Sequence, residues 1–525
     1  MSNTSDYENL ETYFPFTNLR ENQPDALAQL RAALLNPEVK IILLKGSTGS
    51  GKSAIGICAA RASGSAYILT KTKNLQDQYL SDFEELVELK GRDNYICKAS
   101  ESKSCKSQEN NCPYRENGPF CKKFYSIYLK ASEGKIALFN FYSALAYLNQ
   151  DENFNKFKKR KLLIADEAHN LIDALTDYNT FTVSKKWLEK NFPDFEDSFP
   201  QIHAYSKTED FIPFLKSLYN YIKDKPTEEE KADIVEFIEG GTARIPKILK
   251  NQDNYVLCPN FYKETIVASF KPRKIEEHSQ KDLFKHAEKT ILMSATFTSI
   301  QTYCEVMGID TSKIQAIDVP NVFPLENRPM YLGSAVGYVS SKTIGDMLPH
   351  MAKRIDDILS MYPDSKGIIH SVTYAIADYI AENLPVNGSR IIYPRSPRTQ
   401  PSALQKHAQS LAPTILLSPS LDEGVDLKGY LSELQILAKT PYAYWGDPLL
   451  QERRGLYFKY YEMLTATTII QATGRSIRTE TDKADTFCID TYTHQFIYEN
   501  PDLFPEWFVK TIKLHPDWLL RDSAR

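Results

Sequence analysis

The sequence predicts an α/β protein with two parallel-sheet domains. Three observations support this prediction. Short apolar segments alternate with helical patterns near the start of the chain, and a glycine-rich loop joins one strand–helix pair. A second α/β region begins near Pro329, after a linker at 320–329 that carries three prolines. Because strand–helix–strand alternation requires crossover connections, each region is expected to form a parallel sheet.

The individual elements follow from apolar runs and helical periodicity. Strands are predicted at 40–45, 65–70, 162–165 and 290–293, with helices at 52–62 and 74–89. Between the last two strands, roughly Asp173 to His286, Lys/Glu-rich patterns such as 187–192 and 228–238 predict a largely helical insertion. In the second region, strands are predicted at 367–370, 414–417 and 486–489.

Composition narrows the class of protein. The chain has 525 residues, of which 42% are hydrophobic and 25% charged, as in a globular protein of several domains. Its net charge of −4 means that any nucleic-acid binding must use a local basic groove. The polar, acidic N-terminus does not resemble a signal peptide, and apolar runs such as 41–44 are too short to span a bilayer. We therefore expect a cytoplasmic or nucleoid-associated protein without a membrane contact, whose eight cysteines do not form disulfides.

The glycine-rich loop indicates a nucleotide site. Residues 46–53 fit the pattern G-x-x-x-x-G-K-[ST] between a predicted strand and helix. Backbone N–H groups and the helix N-terminus would hold phosphates, Lys52 would reach the β- and γ-phosphates, and Ser53 would bind Mg²⁺. The alternative is an ordinary turn. The predicted phosphate-binding residues are Gly46, Ser47, Thr48, Gly49, Ser50, Gly51, Lys52 and Ser53.

Two further segments carry charged groups suited to phosphoryl transfer. Asp166 follows a predicted strand and is expected to hold Mg²⁺, while Glu167 would orient and deprotonate the attacking water. The stretch 471–478 is predicted to begin a helix that carries Arg475 and Arg478 on one face, where guanidinium groups stabilise a transferring phosphate. The alternative for 166–169 is a solvated helix start, and the alternative for 471–478 is a solvated basic helix.

Four clustered cysteines predict a metal site. Cys97, Cys105, Cys112 and Cys121 have the spacing C-x7-C-x6-C-x8-C, which leaves zinc and an iron–sulfur cluster both open. Lysines and aromatic residues are interleaved with these cysteines. The interleaved residues either contact nucleic acid or belong to a solvated loop whose aromatic side chains pack on the metal site. These residues are Lys98, Lys103, Lys106, Lys122, Lys123, Tyr95, Tyr114, Phe120, Phe124 and Tyr125.

In combination, these segments resemble the ordered motifs of superfamily-two helicases. The matching segments are the loop, 166–169 (Asp-Glu-Ala-His), Ser294-Ala295-Thr296, 422–427, and 471–478, which includes Gln471. The family pattern implies that Arg20 and Gln23 approach the adenine and that Asp426 belongs to the fifth motif at the nucleotide. It also implies that five residues lie near nucleic acid, although core packing of Phe141 and a plain strand cap at Ser371 are alternatives. These five are Thr70, Lys71, Asn140, Tyr142 and Ser371.

The DEAH spelling together with the four cysteines resembles the XPD/DinG-like iron–sulfur helicases. The resemblance implies two RecA-like motor domains, with an iron–sulfur domain and a helical arch domain inserted in the first. It also favours a [4Fe–4S] cluster over zinc. The implied domains are the first motor at 1–95, 125–172 and 287–325, the cluster domain at 96–124, the arch at 173–286 and the second motor at 326–525.

The resemblance implies an ATP-dependent DNA helicase with ATP, Mg²⁺ and a [4Fe–4S] cluster as cofactors. Its expected partner is single-stranded DNA or a forked duplex, along which a monomeric motor moves 5′ to 3′. The alternatives are a translocase on duplex nucleic acid, an RNA-directed ATPase, and a non-unwinding recruitment module. DNA repair is one expected setting, alongside replication, plasmid, phage and defence systems.

Overall fold

The computed structural model contains two parallel sheets and one antiparallel sheet. It describes residues 5–97, 103–106, 121, 123–150, 155–202, 206–225, 232–262, 265–332, 336–419, 427, 429–477 and 479–513. Within these ranges each parallel sheet has seven strands, and the antiparallel sheet has three. The chain crosses from the first parallel sheet to the second between Val319 and Met330, along the linker at 320–329.

The first domain is built on the sheet with strand order β10-β1-β9-β5-β2-β4-β3. Most of its strands are continuous apolar runs, as expected when helices cover both faces of a parallel sheet. Separate buried clusters fill the two faces. The strands are β1 Ile41–Gly46, β2 Ala66–Thr70, β3 Val87–Glu88, β4 Ile136–Asn140, β5 Arg160–Asp166, β9 Ala287–Ser294 and β10 Ile314–Val319. The helices are α1 Ser5–Glu8, α2 Gln23–Leu35, α3 Lys52–Ser63, α4 Lys73–Asp82, α5 Phe124–Glu133, α6 Phe141–Leu148, α7 Leu171–Tyr178, α11 Glu276–His278 and α12 Ile300–Met307.

The insertion within the first domain has mixed secondary structure. Its helices are α8 Lys185–Asn191, α9 Ile212–Ile222 and α10 Ala232–Lys250, and its antiparallel strands are β6 Phe181–Ser184, β7 Tyr255–Tyr262 and β8 Thr265–Pro272. The prediction of a largely helical insertion is therefore incomplete. The strands form because alternate side chains, such as Phe181, Val183, Ala268 and Phe270, are buried under the helices.

The second domain repeats the parallel architecture with strand order β13-β14-β12-β15-β16-β11-β17. Its strands are β11 Met330–Tyr331, β12 Gly367–His370, β13 Ile391–Ile392, β14 Ile415–Ser418, β15 Leu434–Leu437, β16 Asp485–Cys488 and β17 Ile512–Lys513. Its helices are α13 Ile344–Met361, α14 Tyr374–Asn383, α15 Gln400–Gln409, α16 Pro448–Leu456, α17 Tyr460–Thr473, α18 Thr491–Glu499 and α19 Glu506–Val509.

Two predicted helices are corrected by the structure. The helix predicted at 74–89 ends at Asp82, because Phe83 and Leu86 turn into the core and β3 pairs with the edge of the sheet. The stretch at 471–478 does not begin a helix. It ends α17, since Gly474, a weak helix former, caps the helix with its N–H bonded to the carbonyl of Ile470.

The second domain is also joined to the base of the insertion by a buried arginine. Arg453 on α16 donates to the backbone carbonyls of Arg273 and Pro272, at 3.0 Å each, and to the hydroxyl of Thr176 at 2.7 Å. Its side chain is among the largest that are fully buried. The contact therefore fixes α16 against both the first domain and the insertion.

Candidate nucleotide site between the two domains

The glycine-rich loop connects β1 to α3 in a phosphate-binding conformation. Gly49 and Gly51 have φ angles of +78° and +89°, which side chains other than glycine rarely adopt. Lys52 is buried, and its Nζ donates to the carbonyls of Gly46 at 2.8 Å and Ser47 at 3.1 Å. The lysine thus lies inside the loop, where a phosphate group would meet its charge.

The predicted upstream residues contact the same loop. Arg20 donates through Nη1 to the carbonyl of Gly49, and the side chain of Gln23 accepts from the N–H of Arg20 at 2.8 Å. A Cβ built on Gly51 would lie 2.2 Å from Gln23 Nε2, so only glycine fits there. Asn22, which the sequence analysis did not single out, donates to the carbonyl of Ser50 at 3.3 Å.

Asp166 ends β5 beside the start of α3. Its Oδ2 accepts from Ser53 Oγ at 3.1 Å and from the hydroxyl of Tyr79 at 2.8 Å, while its Oδ1 accepts from the N–H of Glu167. A serine hydroxyl next to a carboxylate supplies the oxygen ligands that Mg²⁺ prefers. The two residues assigned to Mg²⁺ from the sequence are therefore brought together.

Tyr79 is a site residue that sequence reasoning missed. It lies on α4, and its side chain is almost completely buried. Burial, followed by the charge of Asp166, raises the pKa of Tyr79 above its ordinary value. The phenol therefore remains a donor to Asp166. Tyr79 and Gln76, three residues apart on α4, are both buried, and no sequence pattern marks the contact of Tyr79 with Asp166.

Glu167 and His169 face the cleft between the domains. Glu167 has a left-handed backbone with φ of +55° and lines the cleft. His169 Nδ1 lies 2.9 Å from Ser294 Oγ, and its Nε2 accepts from the amides of Asn170 and Gln471. His169 therefore links the DEAH segment, the last residue of β9 and the end of α17 on the second domain.

The end of α17 completes the cleft from the second domain. Arg475 is buried and lines a cavity of about 550 Å³ together with the loop. A Cβ built on Gly474 would lie 4.0 Å from Thr48 Oγ1, so this segment lies directly against the phosphate loop. The cavity is lined by Ser47, Thr48, Lys71, Thr72, Asn74, Leu75, Gln78, Ser81, Asp82, Glu167, Ala295, Thr296, Arg328, Ile470, Gln471, Gly474, Arg475, Ile477 and Trp507. Two other predicted site residues, Arg478 and Asp426, lie outside the described residues.

Hydroxyl groups join the domains next to this cleft. Thr298 Oγ1 lies 3.2 Å from Thr467 Oγ1, and Thr302 donates to the carbonyl of Phe458 at 2.8 Å. Both contacts connect the segment after β9 with α17 or the residues before it. A conformational change at the nucleotide site can therefore directly alter the packing between the domains.

Three of the four clustered cysteines are described, while Cys112 is not. Cys97 and Cys105 lie on facing arms of a small hairpin, where the N–H of Cys97 bonds to the carbonyl of Lys103 and that of Cys105 to the carbonyl of Tyr95. Cys121 precedes α5, whose first residue, Phe124, packs on Tyr95 with ring centroids 5.5 Å apart.

The segments that carry Cys97 and Cys121 are thus connected through this aromatic contact. Within the described residues alone, no group of three or more His, Cys, Asp or Glu side chains forms a metal site. Three of the aromatic residues interleaved with the cysteines are partly buried against the core of the first domain. They are Tyr95, Phe124 and Tyr125. Tyr114 and Phe120 lie outside the described residues, as do Lys98 and Lys122.

The predicted nucleic-acid residues have different surroundings. Thr70 and Ser371 are fully buried at strand ends, and Ser371 donates to the carbonyls of Thr373 and Ser418, so neither side chain reaches a surface. Their contact with nucleic acid stays a prediction, and in this structure both hydroxyls are buried. The two hydrogen bonds from the Ser371 hydroxyl to backbone carbonyls agree with the alternative that this residue caps the strand.

The remaining predicted residues are more accessible. Lys71 lines the nucleotide cleft and donates to Asn170 Oδ1 at 2.9 Å. Asn140 caps α6 by accepting from the N–H of Ser143, and Tyr142 is 49% exposed. Phe141 between them is buried in the core, as its packing alternative predicted.

Comparisons with known proteins agree with this architecture. The family model described as a helicase C-terminal domain matches residues 368–511, and the model of the res subunit of type III restriction enzymes matches residues 16–196. Among solved structures, an XPD helicase superposes with a TM-score of 0.63 at 16% identity, covering 93% of this chain and 98% of its own. The Xpd4 structure from S. tokodaii superposes with a TM-score of 0.57 at 15% identity, covering 94% and 100%. A search of curated proteins finds no match.

The two matched domains and the cleft between them define an ATP-dependent helicase motor that uses ATP and Mg²⁺. In fold, the chain resembles the XPD helicase structures, with two parallel-sheet α/β domains like RecA-like motor domains. Within the described residues, no helix has the length and apolar character needed to cross a bilayer.

Proposed function

We propose that this protein is a DNA helicase that translocates 5′ to 3′ along single-stranded DNA, with a [4Fe–4S] domain assisting strand separation. The observation that carries the proposal is the position of Arg475 and Gln471 in the same cleft as the phosphate loop and Glu167. Catalytic groups from two α/β domains meet only when the domains close. ATP binding and hydrolysis can therefore drive a cycle of closing and opening.

The charged and polar groups of the site are assigned separate roles in hydrolysis. Lys52 and the N–H groups of the loop hold the phosphates. Ser53 and Asp166 would hold Mg²⁺, which would neutralise phosphate charge. Glu167 accepts the proton of the attacking water, and Arg475 stabilises charge on the transferred phosphoryl group. Arg478 is proposed as a second such cation, and Asp426 as a further contact to the nucleotide.

The cysteine-rich segment contacts the insertion. Lys106, on the hairpin that carries Cys97 and Cys105, lies 2.6 Å from Glu236 on α10. Cys97, Cys105, Cys112 and Cys121 would hold the cluster, whose iron–thiolate bonds fix the segment as a rigid unit. The cluster domain and the insertion, proposed to be the arch, would then bound a passage for one strand, and Lys71, Asn140 and Tyr142 are proposed to contact it.

Strand displacement on duplexes with a 5′ tail or a 3′ tail tests the proposal. A monomeric preparation should unwind the 5′-tailed DNA in the presence of ATP and Mg²⁺, and single-stranded DNA should stimulate hydrolysis more than RNA or blunt duplex does. Unwinding from the 3′ tail alone would overturn the polarity. Preferential stimulation by RNA or duplex would replace DNA unwinding by one of the alternative activities.

The cluster has a separate test. Anaerobically purified protein should contain about four irons per chain and absorb near ~400 nm, the thiolate-to-iron region. Cys105→Ser should lose this absorption, while Cys258→Ser, a control on β7, should keep it. Stoichiometric zinc without visible absorption would reject the iron–sulfur assignment.

A further inference from the structure

The linker at 320–329 contacts the phosphate loop through one asparagine. Asn321 Oδ1 accepts from Ser47 Oγ at 3.0 Å and also from Arg328 Nη2. Just before it, the carbonyl of Pro320 accepts from Asn22 at 2.7 Å. Arg328 is therefore connected to the phosphate loop by two consecutive hydrogen bonds, although 281 positions separate Ser47 from Arg328 in the sequence.

The guanidinium of Arg328 also faces the second domain. Its Cζ lies 4.3 Å from the ring centroid of Trp507, a stacking distance for arginine on an aromatic face. Both side chains line the nucleotide cavity with Thr48 and Arg475. Trp507 belongs to α19, so the pair spans the linker and the end of the second domain.

Arg328 carries charge and donor capacity that the described part of the protein does not use. Burial lowers its pKa to about 10, which still leaves a cation at neutral pH. Its Nε is buried without a hydrogen-bond partner among the described residues. Within the same ranges, Arg328 forms no salt bridge. An uncompensated cation beside a phosphate-binding loop is suited to an anionic ligand.

We propose that Arg328 is a further nucleotide-binding residue, which contacts the phosphate chain of ATP from the linker while Trp507 holds its guanidinium plane. The inference rests on the proposed ATP hydrolysis in this cleft and adds a contact from outside the helicase motifs. Since Arg328 touches both the phosphate loop through Asn321 and the second domain through Trp507, it also couples nucleotide binding to the position of that domain.

Steady-state ATP hydrolysis with saturating single-stranded DNA tests the contact. Arg328→Gln should raise the KM for ATP by about tenfold or more, the loss expected for a hydrogen bond to a charged group, with a smaller change in kcat. Arg328→Lys should recover part of the loss, because it keeps the charge but not the planar fork. Arg395→Gln, at an arginine whose side chain is 68% exposed, is the matched control and should behave as wild type.

Tryptophan fluorescence provides a second readout that does not depend on turnover. Addition of ADP should change the emission of the wild-type protein, and Trp507→Phe should abolish most of this change. In Arg328→Gln the ADP titration should shift to concentrations about tenfold higher. Thermal unfolding measured alongside would show that the variant is folded.

The outcomes separate this inference from the proposed function. If wild type hydrolyses ATP and folded Arg328→Gln keeps the wild-type KM and ADP titration, the inference is wrong while the helicase proposal stands. The same holds if the variant loses only thermal stability, since Arg328 would then serve only to hold the linker. If wild type neither binds nor hydrolyses ATP, the function itself fails.

Discussion

His169 of the first domain and Gln471 of the second are in direct hydrogen-bond contact across the nucleotide cleft. Amide groups of Gln471 and Asn170 both donate to Nε2, while the other ring nitrogen, Nδ1, faces Ser294 Oγ. The last residue of the DEAH segment thus connects α17 to the segment that carries Asp166 and Glu167, which are proposed to hold Mg²⁺ and water. This contact is a structural basis for coupling domain closure to hydrolysis.

Removal of the Gln471 amide should uncouple the two domains. Gln471→Leu keeps a similar volume but leaves His169 Nε2 without its donor from the second domain. We expect the kcat of DNA-stimulated hydrolysis to fall about tenfold, the equivalent of one lost polar contact in a buried site, while the basal rate changes less. Gln495→Leu, at a glutamine on α18 that donates to Glu499, is the control. Equal losses of basal and stimulated rates would contradict the coupling role.

The hydroxyl of Tyr79 should support Mg²⁺ binding through Asp166. Tyr79→Phe keeps the buried ring and removes only the donor, and loss of such supporting contacts typically weakens metal binding about 10–100-fold. The Mg²⁺ concentration for half-maximal hydrolysis should therefore rise by about tenfold. Tyr303→Phe is a matched control, because this buried hydroxyl donates instead to the backbone carbonyl of Ala168 at 2.7 Å. An unchanged Mg²⁺ requirement in Tyr79→Phe would remove this role.

Arg453 should contribute mainly to stability. Arg453→Met leaves the carbonyls of Pro272 and Arg273 without their buried donor, and each unsatisfied group costs about 1–3 kcal/mol. We expect Tm to fall by about 5 °C or more. Its neighbour Arg454, which is exposed and stacks on Trp445, provides the control Arg454→Met with little change. Similar Tm values for both variants would show that the buried contacts are not stabilising.

His370 should make the protein sensitive to acid. Burial, and then the charge of Arg475, lower the pKa of His370 from 6.5 to about 3. Between these values the unfolded state binds a proton that the folded state does not, so stability falls as the pH decreases below about 6.5 and levels off near 3. The decline for this group approaches at most about 1.4 kcal/mol per pH unit.

Thermal unfolding of wild type and His370→Leu at several pH values between 7.5 and 5 measures this contribution. The difference in Tm between the two proteins should shrink or reverse as the pH falls. His286, whose pKa burial also lowers, is retained in both proteins and cancels in the comparison. Parallel pH profiles would contradict the assignment to His370.

The sequence was most informative where local geometry dictates residue type. The loop at 46–53 needs glycine at its positive φ angles, and buried parallel strands such as β1 and β5 need continuous apolar runs. The sequence motifs therefore predict the loop, Asp166, Glu167, Gln471 and Arg475, and these residues lie around one cleft. Strand β6 of the insertion has no such local pattern, because it pairs with β8, up to 89 residues away.

Contacts made only by tertiary packing had no comparable pattern. Tyr79, Arg328 and Arg453 are single polar residues that each contact a partner 87 or more positions away, namely Asp166, Trp507 and Thr176. Their sequence context does not reveal these contacts. Burial of Thr70 and Ser371 is likewise a tertiary feature that their motifs do not reveal. Motif likeness alone placed these hydroxyls at a nucleic-acid surface.

ATP hydrolysis stimulated by single-stranded DNA, compared between wild type and Lys52→Ala, tests the two-domain ATP site most directly. Lys52 Nζ lies within the phosphate loop, 2.8 Å from the carbonyl of Gly46, and no other lysine among the described residues of the loop can replace its charge. We predict that wild type hydrolyses ATP with DNA stimulation and that folded Lys52→Ala loses nearly all of this activity. Undiminished hydrolysis by the variant would contradict the assignment of the site.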